Sequence, residues 1–187
     1  IIECTACPQR KGSVTEFVRH TTSPEHAREI FACGKLLSAR LARNAPPELL
    51  AAEKRNAAND PADYFEYVML SWGNCQAGDR LVMERRLGRF PDGDDLSIGF
   101  APAVRFYFRY DELAKHPNCC FDGVLPMKIK DAIILSEWVY AIVIPEGLRH
   151  ELQDAVPPEL QPKIRYVAND CKDIWECSEK VYRIIEC

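Results

Sequence analysis

The sequence lacks a long apolar run. Gly73, Glu137 and Pro145 interrupt its most hydrophobic stretches, so none reaches the about 20 residues that a helix needs to cross a bilayer. We therefore predict no contact with a membrane. A secretory leader is not expected either, because residues 1–4 are too few and too acidic for one. The first residue is not methionine, and we expect the chain to be a fragment or an excised domain.

Short motifs of common enzyme classes are also absent. The chain contains neither a G-x-x-x-x-G-K-[ST] nor a G-x-G-x-x-G loop, and neither a G-x-S-x-G turn nor an H-E-x-x-H motif. These absences argue against the common nucleotide-binding folds and hydrolase classes.

There is no excess of positive charge. The chain carries 24 Lys and Arg against 28 Asp and Glu, which gives a net charge of -4 and a pI near 5.6. A protein that covers duplex DNA over a long footprint normally presents a basic surface. The average charge therefore argues against a general DNA-coating role, although it is compatible with a local basic site.

The composition is that of an ordinary globular protein. Of the 187 residues, 47% are hydrophobic and 28% are charged, which suffices for a buried core. We predict a single domain over residues 1–187.

The nine cysteines are odd in number and irregular in spacing, a pattern that favours reduced thiols over a disulfide framework. Cys4 and Cys7 form a lone C-x-x-C, half of what a structural zinc site needs, so no metal is expected. Reduced thiols favour a cytoplasmic location.

Hydrophobic periodicity predicts an α+β fold with short strands. Ser23, Pro24 and Glu25 form a helix start, and Gly34 ends that helix. A second helix is predicted near residues 47–57, and Asp79 is expected to cap a third. The predicted strands lie within residues 13–20 (with an apolar centre at 14–18), 64–72, 98–110, 124–130, 133–144 and 164–167, with an edge strand at 181–185.

The first candidate site is Arg19-His20-Thr21-Thr22, between a predicted strand and the capped helix. A strand-to-helix turn exposes side chains, and the helix amides behind it can receive an anionic group. His20 and Thr22 offer donors and acceptors that suit ribose hydroxyls or an amide. The alternative is that Thr22 only assists the helix cap and His20 only ends the strand.

The second candidate is the predicted strand at residues 104–110. Alternation places Arg105, Tyr107 and Arg109 on one face and the apolar residues on the other, which is expected to be core. A ring between two guanidiniums suits the stacking of a flat ring beside a phosphate. The alternative is a solvent-exposed face on which Tyr107 packs over arginine stems.

The third candidate is Glu137, a carboxylate inside the otherwise apolar strand predicted for residues 133–144. Such a group needs a partner or a function. It could bind a sugar hydroxyl and stabilise a developing oxocarbenium ion. The alternative is an ion pair with Arg105, Arg109 or Lys130.

Taken in order, these segments resemble the H-Y-E type of the ADP-ribosyltransferase superfamily. Its members use a first-strand histidine followed by a small residue and Thr or Ser, then a strand aromatic, then a glutamate at a late strand. His20, Tyr107 and Glu137 match that order. The likeness is greatest to DNA-modifying toxins of the DarT type. It spans about residues 20–167, and it implies a split β-sheet core with flanking helices over about residues 14–167.

The resemblance implies an NAD-dependent mono-ADP-ribosyltransferase, a glycosyltransferase that modifies nucleic acid, protein or a small molecule as a toxin or effector. His20 would bind the adenosine-side ribose of NAD, the Thr21 backbone would meet the nicotinamide amide, and Thr22 would support the turn. Tyr107 would stack on nicotinamide. Glu137 would hold the ribose 2′-hydroxyl and stabilise the cationic transition state. An antitoxin or another regulatory protein is an implied partner, and no metal is needed.

One further role comes from the strand face, and one position departs from the family pattern. Arg105 or Arg109 would neutralise the pyrophosphate, an inference from the strand face alone. Leu135 stands two positions before Glu137, where members that modify arginine or asparagine carry Glu or Gln, so protein-arginine modification is not expected.

Two other functions stay open. Arg19-His20 resembles the Arg-His pair of RNA 2′-phosphotransferases, which share the fold, need further arginines and have no catalytic glutamate. Alternatively, the chain is a non-catalytic interaction module in which Trp72, Trp138 and Trp175 anchor packing or a partner.

Overall fold

The protein alternates short strands with short helices. The computed structural model describes residues 3–4, 12–52, 61–97, 103–168 and 170–186. The strands are β1 Glu3–Cys4, β2 Gly12–Ser13, β3 Phe17–Thr22, β4 Lys35–Leu37, β5 Tyr67–Trp72, β6 Val104–Arg109, β7 Cys119–Cys120, β8 Met127–Lys130, β9 Ala132–Ile134, β10 Ala141–Pro145 and β11 Ile164–Val167. The α-helices are α1 Pro24–Cys33, α2 Ala39–Arg43, α3 Pro47–Ala52, α4 Ala77–Leu87, α5 Gly93–Leu96, α6 Tyr110–Leu113, α7 Leu135–Trp138, α8 Arg149–Leu152 and α9 Ile174–Glu186. Short 3-10 segments lie at Ala62–Glu66, Glu146–Leu148, Gln153–Ala155 and Pro158–Lys163.

A seven-stranded sheet organises these elements, in the order β11-β10-β6-β3-β5-β8-β7. The pairing of β10 with β11 is parallel, and the other pairings are antiparallel. β4 and β9 form a separate small sheet. The predicted mixture of helices and short strands is confirmed, in the form of a mostly antiparallel sheet.

The central strand β3 pairs with its two neighbouring strands over different lengths. Its register with β6 runs the full length of the strand, from Phe17 opposite Arg109 to Thr22 opposite Val104. Its register with β5 comprises Val18–Trp72 and Arg19–Ser71, and within the described chain this ladder does not continue to His20. The sheet therefore opens between β3 and β5 beyond Arg19.

Helix α1 has the ends that the sequence predicts. The Ser23 hydroxyl accepts the backbone N–H of His26 at 3.3 Å, and Pro24 occupies the first turn. Gly34 ends the helix with φ 68°, a left-handed conformation that glycine adopts without a Cβ clash. Ala27 and Phe31, four residues apart, turn inward from α1.

Apolar layers cover both faces of the sheet. On the α1 face, Val18 and Phe106 pack in one cluster with Phe31. On the opposite face, Phe17 and Tyr107 pack in a second cluster with residues of α9. Alternate residues of β3 and β6 therefore belong to different layers, as the alternation on β6 predicts.

The continuous strand predicted for residues 133–144 is wrong. The backbone N–H of Leu135 donates to the Gly34 carbonyl at 3.0 Å, and that of Val139 donates to the Leu135 carbonyl at 3.0 Å. These bonds form the helical turn α7 between β9 and β10. An apolar run by itself does not distinguish a buried strand from a buried helical turn.

The edge strand predicted for residues 181–185 is also wrong, because these residues belong to α9. Cys177, Val181 and Ile185 recur every four residues, and all are buried in the apolar cluster that also contains Tyr107. The helical period is visible only over a window longer than the five residues of the predicted strand.

Asp79 does not cap a helix. α4 begins two residues before it, and its carboxylate is fully buried between two guanidiniums. Arg19 Nη2 lies 2.5 Å from Asp79 Oδ2, and Arg105 Nη2 lies 2.6 Å from Asp79 Oδ1. Arg19 also donates to the Cys75 carbonyl and, at 3.1 Å, to the Tyr107 hydroxyl.

Within this ion cluster, Arg19 stays charged. Burial lowers the pKa of Arg19, but the Asp79 carboxylate and the Tyr107 hydroxyl outweigh burial and hold the pKa above its ordinary value. The cluster joins β3, β6 and α4 through charges that are removed from water.

We expect Asp79→Asn to destabilise the fold by about 3–5 kcal/mol, because it leaves two buried guanidiniums without their carboxylate. Urea unfolding at neutral pH measures the loss. The control is Glu112→Gln, which removes an ion pair with Arg109 whose side chains are 63% and 41% exposed and should cost less than about 1 kcal/mol. Equal losses in the two variants would contradict a structural role for Asp79.

Candidate functional site

A cavity of about 470 Å³ lies where β3 and β5 diverge. His20 and Thr22, which share one face of β3, form part of its wall, and Tyr67, Val68 and Met69 of β5 form another part. Small-molecule sites commonly measure about 300–1,000 Å³. The opening of the sheet therefore creates a space of ligand size.

Helix α1 supplies a further wall through one of its faces. His26, Glu29, Ile30 and Cys33 all line the cavity, and their spacing of three, four and seven residues places them on one side of a helix. Helix α2 also lines the cavity, through residues that include Arg43. The cavity is therefore enclosed by both strands and helices.

The His20 ring is fixed in one orientation. Its Nδ1 lies 3.2 Å from the Met69 carbonyl oxygen, and because a carbonyl only accepts, Nδ1 carries the proton. Burial lowers the pKa of His20, and the charges of Arg85 and His26 lower it further against the raising effect of the Met69 carbonyl. A neutral ring with a protonated Nδ1 leaves Nε2 as a hydrogen-bond acceptor.

The cavity is electropositive although the chain is acidic. Lys35, Arg43 and Arg85 line it, and among the described residues of the wall Glu29 supplies the one carboxylate. His26 also lines it. Against a net charge of -4 for the whole chain, this distribution concentrates positive charge at one site.

Two tyrosine rings in the wall are held by a buried lysine. Lys128 Nζ lies 4.6 Å from the ring centroid of Tyr64 and 4.3 Å from that of Tyr67. It also lies 3.4 Å from Asp63 and 3.4 Å from Asp122. Burial lowers the pKa of Lys128, but the two carboxylates outweigh burial and raise it above its ordinary value. The charged ammonium therefore anchors both rings.

Tyr107 lies on the face of the sheet opposite His20. The register pairs His20 with Phe106 and Arg19 with Tyr107, and adjacent residues of a strand point to opposite faces. The Tyr107 side chain has no exposed surface. A ligand in the cavity beside His20 has no access to this ring, so the expected stacking on nicotinamide requires a surface that the structure does not offer.

Arg105 and Thr21 share that opposite face. Arg105 is 1% exposed and bound to Asp79. Its side chain therefore faces neither a ligand nor solvent, the two environments expected for it from the sequence. Thr21 packs against the first turn of α4, where a Cβ added to Gly78 would lie 2.7 Å from the Thr21 Cβ. Of the segment 20–22, the structure brings His20 and Thr22 to the cavity wall.

Glu137 is exposed and lies in α7 rather than inside a strand. The three basic residues considered as its ion-pair partners are bound elsewhere: Arg105 to Asp79, Arg109 to Glu112 and Lys130 to Glu66. Its charge instead acts on His116: burial lowers the pKa of His116 below its ordinary value, and the Glu137 carboxylate opposes this only in part. Glu137 does not line the cavity, although β9, which precedes α7, pairs with β4 at the cavity edge.

The sequence interpretation missed His26, Arg43 and Arg85. His26 carries a weak signal, since it shares the helical spacing of Ile30 and Cys33. Arg43 and Arg85 carry none, because they reach the cavity from helices whose packing the sequence does not specify.

Some kinds of site and some relationships are not found. Within the residues that the structure describes, no three His, Cys, Asp or Glu side chains lie close enough to bind one metal ion. Within the same residues, no helix combines the length and the apolarity needed to span a bilayer. Comparisons of the chain with protein-family models, curated proteins and solved structures find no match.

Acidification should destabilise the protein. Burial is the largest cause that lowers the pKa values of His20, His26 and His116 below 6.5. The unfolded chain therefore binds more protons near that pH, and the free energy of unfolding falls as pH decreases through about 6.5. Urea titrations between about pH 7.5 and 5 measure the slope, above the range where carboxylates titrate. His20→Asn should have a shallower slope, and a stability that rises on acidification would contradict the assignment.

Proposed function

We propose that the protein is an NAD-dependent mono-ADP-ribosyltransferase that binds NAD in the cavity between β3 and β5. The observation that carries the proposal is the position of His20, which faces a cavity of ligand size at the point where the central sheet opens. The first-strand histidine of the H-Y-E motif is the residue that the resemblance assigns to the adenosine-side ribose.

The protonation of His20 suits this role. Its Nδ1–H is occupied by the Met69 carbonyl, so Nε2 is left to accept a hydrogen bond from a ribose hydroxyl. The same cavity offers cations for the diphosphate and tyrosine rings beside the space where a base would lie. A dinucleotide with two rings, two riboses and two phosphates has the chemistry that matches this lining.

In the proposed reaction, the glycosidic bond to nicotinamide breaks and the ribose carbon acquires positive charge before an acceptor attacks it. Glu137 is the proposed group that holds the ribose hydroxyl and stabilises this charge. It follows β9, whose Ile134 pairs with Lys35 of the cavity wall, and would approach the dinucleotide from that edge. Tyr107 takes no part in binding in this proposal, because its ring lies in the core.

The acceptor in the proposal is a nucleic acid, a protein or a small molecule, modified by a toxin or effector of the cytoplasm. The RNA 2′-phosphotransferase alternative gains no support, since its Arg-His pair would include Arg19 and Arg19 is bound to Asp79 in the core. The interaction-module alternative predicts that NAD does not bind.

We expect isothermal titration with NAD to give binding heat that His20→Ala abolishes, because the ribose loses its acceptor. His150→Ala is the matched control, since His150 is exposed in α8 and lies outside the cavity. Binding that survives in His20→Ala, or heat that is absent from the unaltered protein, would contradict the proposed site.

We expect Glu137→Gln to retain NAD binding and to lose transfer by about 100-fold or more, because the amide cannot neutralise a cationic transition state. The measurement is incubation with labelled NAD and separate pools of DNA, RNA and protein. Glu151→Gln, on an exposed residue of α8, is the control. Equal labelling by Glu137→Gln and the unaltered protein would remove Glu137 from the mechanism.

A further inference from the structure

Basic side chains from three separate elements meet at the cavity. His26 comes from the first turn of α1, Arg43 is the last residue of α2, and Arg85 lies in the last turn of α4. All three line the cavity. Elements that are remote in sequence thus present basic groups to one space.

These groups are close enough to affect each other. Arg43 Nη2 lies 3.4 Å from His26 Nε2. Burial lowers the pKa of His26, Glu29 and Glu25 on its own helix raise it, and the charges of Arg43 and Arg85 lower it again. His20 on β3 is in turn affected by Arg85 and His26. The pKa of His26 lies below its ordinary value, so the cations and burial prevail over the nearby carboxylates.

We propose that His26, Arg43 and Arg85 form a subsite for the phosphate groups of a nucleotide. The inference rests on the proposed function in one respect, that the diphosphate of NAD is the natural occupant. A phosphate oxygen placed between Arg43 and His26 accepts from the guanidinium and, once Nε2 is protonated, from the imidazolium, and its charge offsets the cations that now oppose protonation of His26.

The chemistry of the wall suits a phosphate group. A guanidinium presents a planar fork that pairs with two phosphate oxygens, and an exposed side chain such as that of Arg43 is able to adjust to them. The cavity measures about 470 Å³, which fits a nucleotide and not a duplex backbone. The acidic average of the chain also disfavours a long polyanion.

The experiment measures binding of adenosine, ADP and inorganic pyrophosphate by calorimetry to the unaltered protein and to Arg43→Gln. We expect the variant to bind ADP about 10- to 100-fold more weakly, the value of one hydrogen bond to a charged group, and adenosine equally well. Arg28→Gln is the matched control, because Arg28 is an exposed arginine of α1 that does not line the cavity. It should bind ADP as the unaltered protein does.

A second readout follows His26 directly. The ring-proton signals of His26 should show its pKa rising when ADP is added, because phosphate charge favours the imidazolium. In Arg43→Gln, this rise on addition of ADP should be smaller. A merely structural role for Arg43 would leave the response of His26 to ADP unchanged.

The outcomes separate the two proposals. Weaker ADP binding in Arg43→Gln with unchanged adenosine binding supports the subsite. Equal ADP binding in the two proteins overturns the subsite and leaves the NAD site standing if NAD binds. Pyrophosphate binding that depends on Arg43, without any NAD binding, supports the subsite and overturns the proposed function. Absence of binding by NAD, ADP and pyrophosphate overturns both.

Discussion

The rest of the structure depends on one interaction, the buried ion pairing of the Asp79 carboxylate with Arg19 and Arg105. Breaking a buried ion pair leaves an uncompensated charge out of water, so each of these groups fixes the others. The cluster ties the central strand β3 to β6 and to α4. Because this face of the sheet is committed to packing and to internal charge pairing, its Tyr107 is closed to ligands.

The opposite face of the sheet borders the cavity. β3 leaves β5 beyond Arg19, and the His20 ring, rather than a backbone ladder, bridges to the Met69 carbonyl. This carbonyl is partly buried and needs a donor, which the ring supplies. The space that remains gathers basic residues from α1, α2 and α4 in a chain that is acidic on average. Local positive charge in a concave site is a stronger indicator of an anionic ligand than net charge is.

The parts of the fold that could be predicted are those set by local sequence. Ser23, Pro24 and Gly34 fix the ends of α1, since capping and a left-handed turn depend on neighbouring residues. The alternation along β6 correctly separated its two faces. What failed was the environment of one face: Arg105, Tyr107 and Arg109 were expected at a surface or a ligand, but the structure buries Arg105 and Tyr107 and leaves only Arg109 partly exposed. The same limit applied to Asp79, whose partners are 60 residues away and 26 residues away.

The sequence by itself determined that helices and short strands form and that a strand near His20 precedes a capped helix, because backbone propensities and caps act within a few residues. Only the tertiary structure decided which polar groups face each other. The pairing of β3 with β6 put His20 and Tyr107 on opposite sides of one sheet, and helix packing brought His26 and Arg43 together. Strand register and helix placement arise from the packing of the whole chain, so side chains far apart in sequence become neighbours only when the fold is complete.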